Sequence, residues 1–211
     1  MPKITRSVEE VEEVRERILE CAFEILEKEG YENLSMGKLG SRMKMTGANL
    51  YNYYANKDEL LIAIHKKSFQ MLHDAIRASV KKIHAPLERV RQVAQAYVEF
   101  GVKNINIYDI MFNRPIRQYS DYIGTPQEKL SYEEYRNSTK ALVFAVTVVR
   151  DYIESRADLA NSDPKFITIK FLSALHGIIS LHNSGILFEM DDNPDLVMNA
   201  IIESTIRSIT E

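Results

Sequence analysis

The chain has 211 residues, 45% of them hydrophobic and 27% charged, with a formal charge of −3 at pH 7. These figures suit one or two folded domains and exclude a disordered chain or a wholesale polycation, though not a local basic patch. The single cysteine, Cys21, excludes an intrachain disulfide framework and a cysteine-based zinc site.

No apolar run approaches the roughly 18 residues of a membrane span. The opening MPKITRSVEEVEEV lacks the apolar core of a signal peptide, so the expectation is a cytoplasmic protein of a reducing compartment. Helical periodicity starts at Val8 and holds to Glu29 through Val11, Val14, Ile18, Ala22 and Ile25. Ser7 suits its N-cap, glutamates crowd the first turn, and Gly30 stands at the C-cap.

Three caps then follow in quick succession. Ser35 suits a helix to about Met43, and Thr46 one to about Tyr53. Asn56, with Glu59 in the capping-box position, suits a long helix from Lys57 to about Ile83. Two short helices joined by a tight turn, with a third behind them, outline a helix-turn-helix. The helical period returns over 87–104, 131–155, 164–184 and 194–209, with Pro86, Pro164 and Pro194 suited to first turns. Strand-like alternation is absent, so the expected fold is all-α, with about eight to ten helices.

Charge is distributed unevenly along this pattern. Residues 1–34 carry a net −5, whereas residues 35–57 carry Lys38, Arg42, Lys44 and Lys57 with no acid. Phosphate binding accounts for such a stretch, because each phosphate neutralised releases condensed counterions.

The segment LSMGKLGSRMKMTGANLYNYYANKDELL (34–61) resembles the DNA-binding signature of the TetR family of transcriptional regulators. The matching elements are Thr46, then Leu50-Tyr51-Asn52-Tyr53-Tyr54, then Lys57-Asp58-Glu59-Leu60-Leu61, and the likeness covers about residues 8–65. Met43-Lys44 departs from the family's Ala-Gly, so either Lys44 adopts a positive φ or the turn differs. ALHGIISLHNSG (174–185) resembles the Trp-His-Gly type of TetR C-terminal domain, with Leu175 in place of the Trp.

The resemblance implies an N-terminal three-helix helix-turn-helix DNA-binding domain over 1–56 and a connecting helix over 57–83. A helical ligand-binding and dimerisation domain over 84–211 would complete the chain. The function implied is a ligand-responsive regulator, a repressor released from its operator by a small, largely apolar effector. No enzyme activity and no cofactor are expected. An effector-free helical DNA-binding scaffold is the alternative.

The third helix is expected to enter the major groove with Thr46, Gly47, Ala48 and Asn49 nearest the bases. Asn49 suits an adenine edge and Ala48 a thymine methyl. Ser35, Lys38, Tyr51, Tyr53 and Lys57 are the candidate phosphate contacts, with Leu50 and Tyr54 packing inward. For the effector pocket the candidates are Tyr97, Phe100, Met111, Phe112 and Phe144, with Arg117, Arg150 and His176 as polar anchors. The stretch 113–125 suits either a portal or a plain connection.

His176 and His182 stand six apart and no Glu-x-x-His pair occurs, so neither a metal site nor a di-metal carboxylate enzyme is expected. The segments 164–184 and 194–209 carry more apolar residues than one face needs: Ile167, Phe171, Leu175, Ile178 and Ile179, then Leu196, Val197, Ile201, Ile202 and Ile209. They are expected to pair with their two-fold mates in a homodimer. The DNA partner is then a double-stranded, near-palindromic operator, and no membrane is involved.

Overall fold

Ser7 opens α1 (Val8–Glu29) with a closed capping box: its hydroxyl accepts from the Glu10 amide at 3.2 Å, and the Glu10 carboxylate accepts from the Ser7 amide at 2.8 Å. The computed structural model describes residues 7–210; the first six residues of the expected 1–56 domain, and Glu211, lie outside it. After α1 come α2 (Met36–Met43), α3 (Gly47–Leu50), α4 (Lys57–Ser79), α5 (Pro86–Lys103) and α6 (Ile105–Phe112). The order continues with α7 (Glu128–Glu154), α8 (Pro164–Asn183), α9 (Ile186–Met190) and α10 (Pro194–Thr210). Single 3₁₀ turns occur at Tyr31–Asn33, Tyr119–Tyr122 and Ala157–Leu159. The described residues contain no strand.

Two helices end earlier than their periodicity predicts. α3 stops at Leu50, and the chain tightens through Asn52 N–H to Asn49 C=O (3.2 Å) and Tyr53 N–H to Leu50 C=O (3.0 Å). α4 stops at Ser79, and the Ile83 amide bonds instead to the Val80 carbonyl at 3.0 Å. Asn104, at φ −116° and ψ 51°, breaks α5 from α6, a helix additional to those expected from the periodicity.

The chain forms two units. One comprises 7–68 with Asn106–Arg136; the other comprises Phe69–Ile105 with 137–210. The expected C-terminal stretch 84–211 thus lends Asn106–Arg136 to the first unit, and α4 and α7 each contribute residues to both. In the first unit Ile18, Ala22, Ile25 and Leu26 of α1 are buried, as are Leu39, Leu50, Leu60, Ile64, Ile107 and Tyr108. Removing this apolar surface from water is the main force holding the short helices in place.

In the second unit α8 packs on α5 and α10, and α10 also packs on α5. Phe171, Leu175, Ile178 and Ile179 of α8, with Ile202, Ile206 and Ile209 of α10, are buried within the chain. That corrects the expected interface set at Phe171, Leu175, Ile178, Ile179, Ile202 and Ile209, which are buried within the chain, while Leu196 and Ile201 of that set are exposed. The large apolar residues left exposed on α8 and α10 are Phe166 (65%), Ile169, Leu196 (68%) and Ile201. No described helix is long and apolar enough to cross a membrane.

Candidate nucleic-acid interface

The turn between α2 and α3 is closed by two backbone bonds. The Met45 amide bonds to the Gly40 carbonyl at 2.8 Å and the Lys44 amide to the Ser41 carbonyl at 3.2 Å, the paired pattern of a Schellman stop. Lys44 therefore takes the left-handed conformation (φ 53°, ψ 37°), in the place where the sequence lacks the family's glycine. The compensating glycine is Gly40, where an added Cβ would lie 2.9 Å from the Met45 carbonyl oxygen.

This turn delivers α3. The Thr46 hydroxyl accepts from the Asn49 amide at 3.2 Å, and fully buried Leu50 anchors the other end. Thr46, Gly47 and Ala48 are exposed and Asn49 is half-buried, so the structure brings the four expected base-facing residues together on an open helix start. Tyr51 is 50% exposed beside them. Tyr53 is not: at 5% exposure its ring belongs to the core, correcting the expectation that both tyrosines stand open to phosphate.

Tyr54 packs inward as expected. Its hydroxyl donates to the Arg15 carbonyl at 3.3 Å, the Arg15 guanidinium lies 4.4 Å from its ring centroid, and burial pushes its phenol up to about 12. Asn56 caps α4 by accepting from the Glu59 amide at 2.8 Å, while the Glu59 carboxylate returns to the Ala55 amide at 2.8 Å, one residue before the expected capping-box donor.

The basic stretch is not uniformly open. Ser35 is exposed and caps α2 by accepting from the Lys38 amide at 3.2 Å. Lys38 and Arg42 both pair with the Glu29 carboxylate. The Lys38 hydrogen bond, with Arg42 behind it, holds the Glu29 carboxyl below its usual range. Periodicity within α1 gave no sign of this clamp.

Lys57 has its Nζ 4.9 Å from the Tyr31 ring centroid, and no carboxylate pairs with it among the described residues. Lys44 is exposed and likewise makes no ion pair among the described residues. Lys44 and Lys57 are thus the two cations of the stretch left without a carboxylate partner. Lys44 belongs to the basic stretch that the sequence shows, but it is not among the phosphate contacts expected from it.

The candidate pocket residues are divided between the two units. In the first unit Met111 is buried, Phe112 is 38% exposed against Tyr108 (ring centroids 4.7 Å apart), and Arg117 is 64% exposed and paired with Asp58 at 3.0 Å. In the second unit Tyr97 and Phe100 are buried, Phe144 and His176 half-buried, and Arg150 exposed. Arg117 and Arg150 are therefore surface residues rather than anchors in an enclosed pocket. Phe144 does line a cleft of about 640 Å³ in the second unit. The stretch 113–125 contains the Tyr119–Tyr122 turn, where the Asp121 carboxylate accepts from the Gln118 amide at 2.7 Å.

Residues 18–64 match the model of bacterial regulatory proteins, tetR family, and residues 90–205 match that of the tetracyclin repressor-like C-terminal domain. An uncharacterized HTH-type transcriptional regulator from the dhlA 5' region of Xanthobacter autotrophicus is 25% identical over 171 residues, covering 72% of this chain and 82% of the relative. A protein of unknown function from Rhodococcus sp. RHA1 has the same fold at a TM-score of 0.73 and 20% identity, each chain covered in full. AibR, solved with isovaleryl coenzyme A and operator DNA, aligns at a TM-score of 0.54 and 21% identity, over 79% of this chain and 85% of its own.

Proposed function

The chain belongs to the TetR family of DNA-binding transcriptional regulators, and from that premise we propose that it is a cytoplasmic, homodimeric repressor released from a near-palindromic operator by a small, largely apolar effector. One observation carries the reading. The start of α3 presents Thr46, Gly47, Ala48 and Asn49 outward, beside Tyr51 and two cations without carboxylate partners, Lys44 and Lys57.

In this reading Asn49 and Ala48 meet base edges, Thr46 and Gly47 allow close approach, and Ser35, Tyr51 and Lys57 bind phosphate. Lys38 joins them when DNA displaces Glu29. The exposed apolar residues Phe166, Ile169, Leu196 and Ile201 support a dimer through α8 and α10, which makes the operator symmetric. AibR, with a small molecule and operator DNA on one fold, is in keeping with the effector.

Effector and DNA act on each other through one coupling free energy, so a ligand that weakens operator binding is itself bound less well by the DNA complex. A coupling of about 1–3 kcal/mol gives a roughly 5- to 150-fold change in operator affinity. Selection of bound duplexes from a random pool tests the base-reading claim. A near-palindrome should be enriched, and a pool that stays random overturns sequence-specific recognition. Light scattering should give a dimer at micromolar concentration, and a reporter carrying the selected site should be silenced by the protein.

A further inference from the structure

The cleft of about 640 Å³ lies where α4 ends, α5 begins and Phe144 of α7 faces them, all within the second unit. Its volume falls inside the roughly 300–1,000 Å³ of small-molecule sites. Its walls divide into two chemistries. Val80, Ile83 and Phe144 form an apolar side, with Val80 buried and Phe144 held edge-on to His73 at 6.1 Å between ring centroids.

Arg77, Lys81, His84 and Arg89 supply basic groups, against one lining acid, Asp74. The Asp74 carboxylate is already engaged, accepting from Gln70 Nε2 at 2.9 Å and facing His73 Nδ1 at 3.2 Å. Arg89 pairs with Asp151 at 2.6 Å. Arg77, Lys81 and His84 remain, exposed and without an ion pair among the described residues; the Arg77 charge also acts, weakly, on the Asp74 carboxyl.

A wholly apolar ligand would cover these cations and take their water without replacing it, at a desolvation cost. A ligand with one anionic group avoids that penalty, since a carboxylate or phosphate makes charge-assisted bonds to Arg and Lys. A nucleic-acid duplex also seeks basic surface, but an apolar-walled concavity offers its backbone nothing. We propose that this cleft binds an organic anion, a carboxylate or phosphate head on an apolar body. Its role as the effector rests on the functional reading above.

Titration calorimetry on the whole chain tests this with octanoate and octyl phosphate, set against methyl octanoate and 1-octanol as neutral counterparts and inorganic phosphate as the bare head. At least one anion should bind about tenfold tighter than its neutral counterpart, and the tighter of the two identifies the head. Arg77→Ala with Lys81→Ala, both at exposed positions, should remove that advantage while leaving the weak neutral binding unchanged.

Equal binding of charged and neutral probes, no saturable binding of either anion, or an unaltered affinity in the double variant overturns the site. So does short non-operator duplex DNA that displaces the anion and whose own binding is lost in the double variant. Repeating the titration on a protein–operator complex separates the two readings. An anion that binds the cleft yet leaves operator affinity unchanged keeps the site and overturns its effector role. Neutral compounds that shift operator affinity equally in the double variant keep an effector-responsive regulator and overturn this cleft as its sensor.

Discussion

Arg15 of α1 sets its Nη1 3.1 Å from Glu59 Oε1 of α4, and the same nitrogen donates to the Tyr53 carbonyl. The guanidinium also covers the Tyr54 ring at 4.4 Å, while the other Glu59 oxygen accepts from the Ala55 amide at 2.8 Å. Both side chains are about four-fifths buried, at 23% and 18% exposure, so solvent screens the pair only partly. Arg15 therefore fixes the segment that joins α3 to α4.

Arg15→Ala removes one hydrogen bond from the Tyr53 carbonyl and the ion pair from the Glu59 carboxylate. We expect a loss of about 2–3 kcal/mol and a melting point lower by several degrees, followed by circular dichroism. DNA affinity should fall alike on all sequences, since α3 loses its mooring and not its base contacts. Arg15→Lys, which keeps the charge but not the planar fork, should recover less than half. Full recovery by lysine would mean that charge alone matters here.

Lys57 and Asn49 should separate affinity from specificity. Lys57→Ala removes one phosphate contact and should reduce the salt slope by about 1, equally on operator and random DNA. Asn49→Ala should cost on the order of 1–3 kcal/mol at the operator and relax preference at one base pair. Isotherms at several salt concentrations measure both, and an Asn49→Ala protein with unchanged base preference would remove Asn49 from the base-reading set.

The α2–α3 turn makes a paired prediction. Gly40→Ala places a methyl 2.9 Å from the Met45 carbonyl oxygen, and this backbone contact has little room to move. A loss of about 1–3 kcal/mol follows, with α3 displaced and DNA binding weakened. Lys44→Gly relieves a left-handed L-residue, so stability should rise slightly, by about 0.5–1 kcal/mol. Because Lys44 is an open cation beside α3, the same variant should bind DNA more weakly. Urea denaturation and DNA titration of one preparation show whether the two effects part in this way.

Much of this fold is legible in local chemistry. Ser7, Ser35, Thr46 and Asn56 each bond an amide a few residues ahead, and such caps are visible in the sequence because both partners lie within one turn. What escaped depends on partners brought in by folding. α3 ends at Leu50 and Tyr53 turns into the core, and nothing in the spacing of Tyr51 and Tyr53 distinguishes the open ring from the buried one. The basic stretch holds no acid of its own, so its sequence does not show that Glu29 of α1 pairs with Lys38 and Arg42. The apolar pocket candidates share their chemistry with core residues, and burial of Tyr97, Phe100 and Met111 follows from packing that spacing does not show.

Glu29 should act as a brake on DNA binding. Its carboxylate occupies Lys38 and Arg42, which a phosphate must displace before either contributes. Glu29→Gln keeps the size and removes the charge, so we expect tighter binding to any duplex and a salt slope steeper by about 1–2. Operator preference over random DNA should stay the same, because phosphate contacts strengthen both alike and carry no sequence information. Unchanged isotherms in 50 mM and 200 mM salt (about the range over which such contacts are read) would mean that Lys38 and Arg42 do not reach phosphate.

Glu134 on α7 gives the protein a pH dependence of its own. The side chain is half-buried, and desolvation raises its pKa from 4.5 to about 7. The folded chain therefore keeps this proton to a higher pH than the unfolded chain does. The linked stability is fully present below pH 4.5 and is lost as the pH rises through 7. Glu134→Gln, which stays neutral, should match the wild type near pH 4.5 and exceed it at about pH 8 by on the order of 1–3 kcal/mol. Urea denaturation at the two pH values measures the difference. An equal gain at both would assign the effect to packing of the amide rather than to ionisation of the carboxyl.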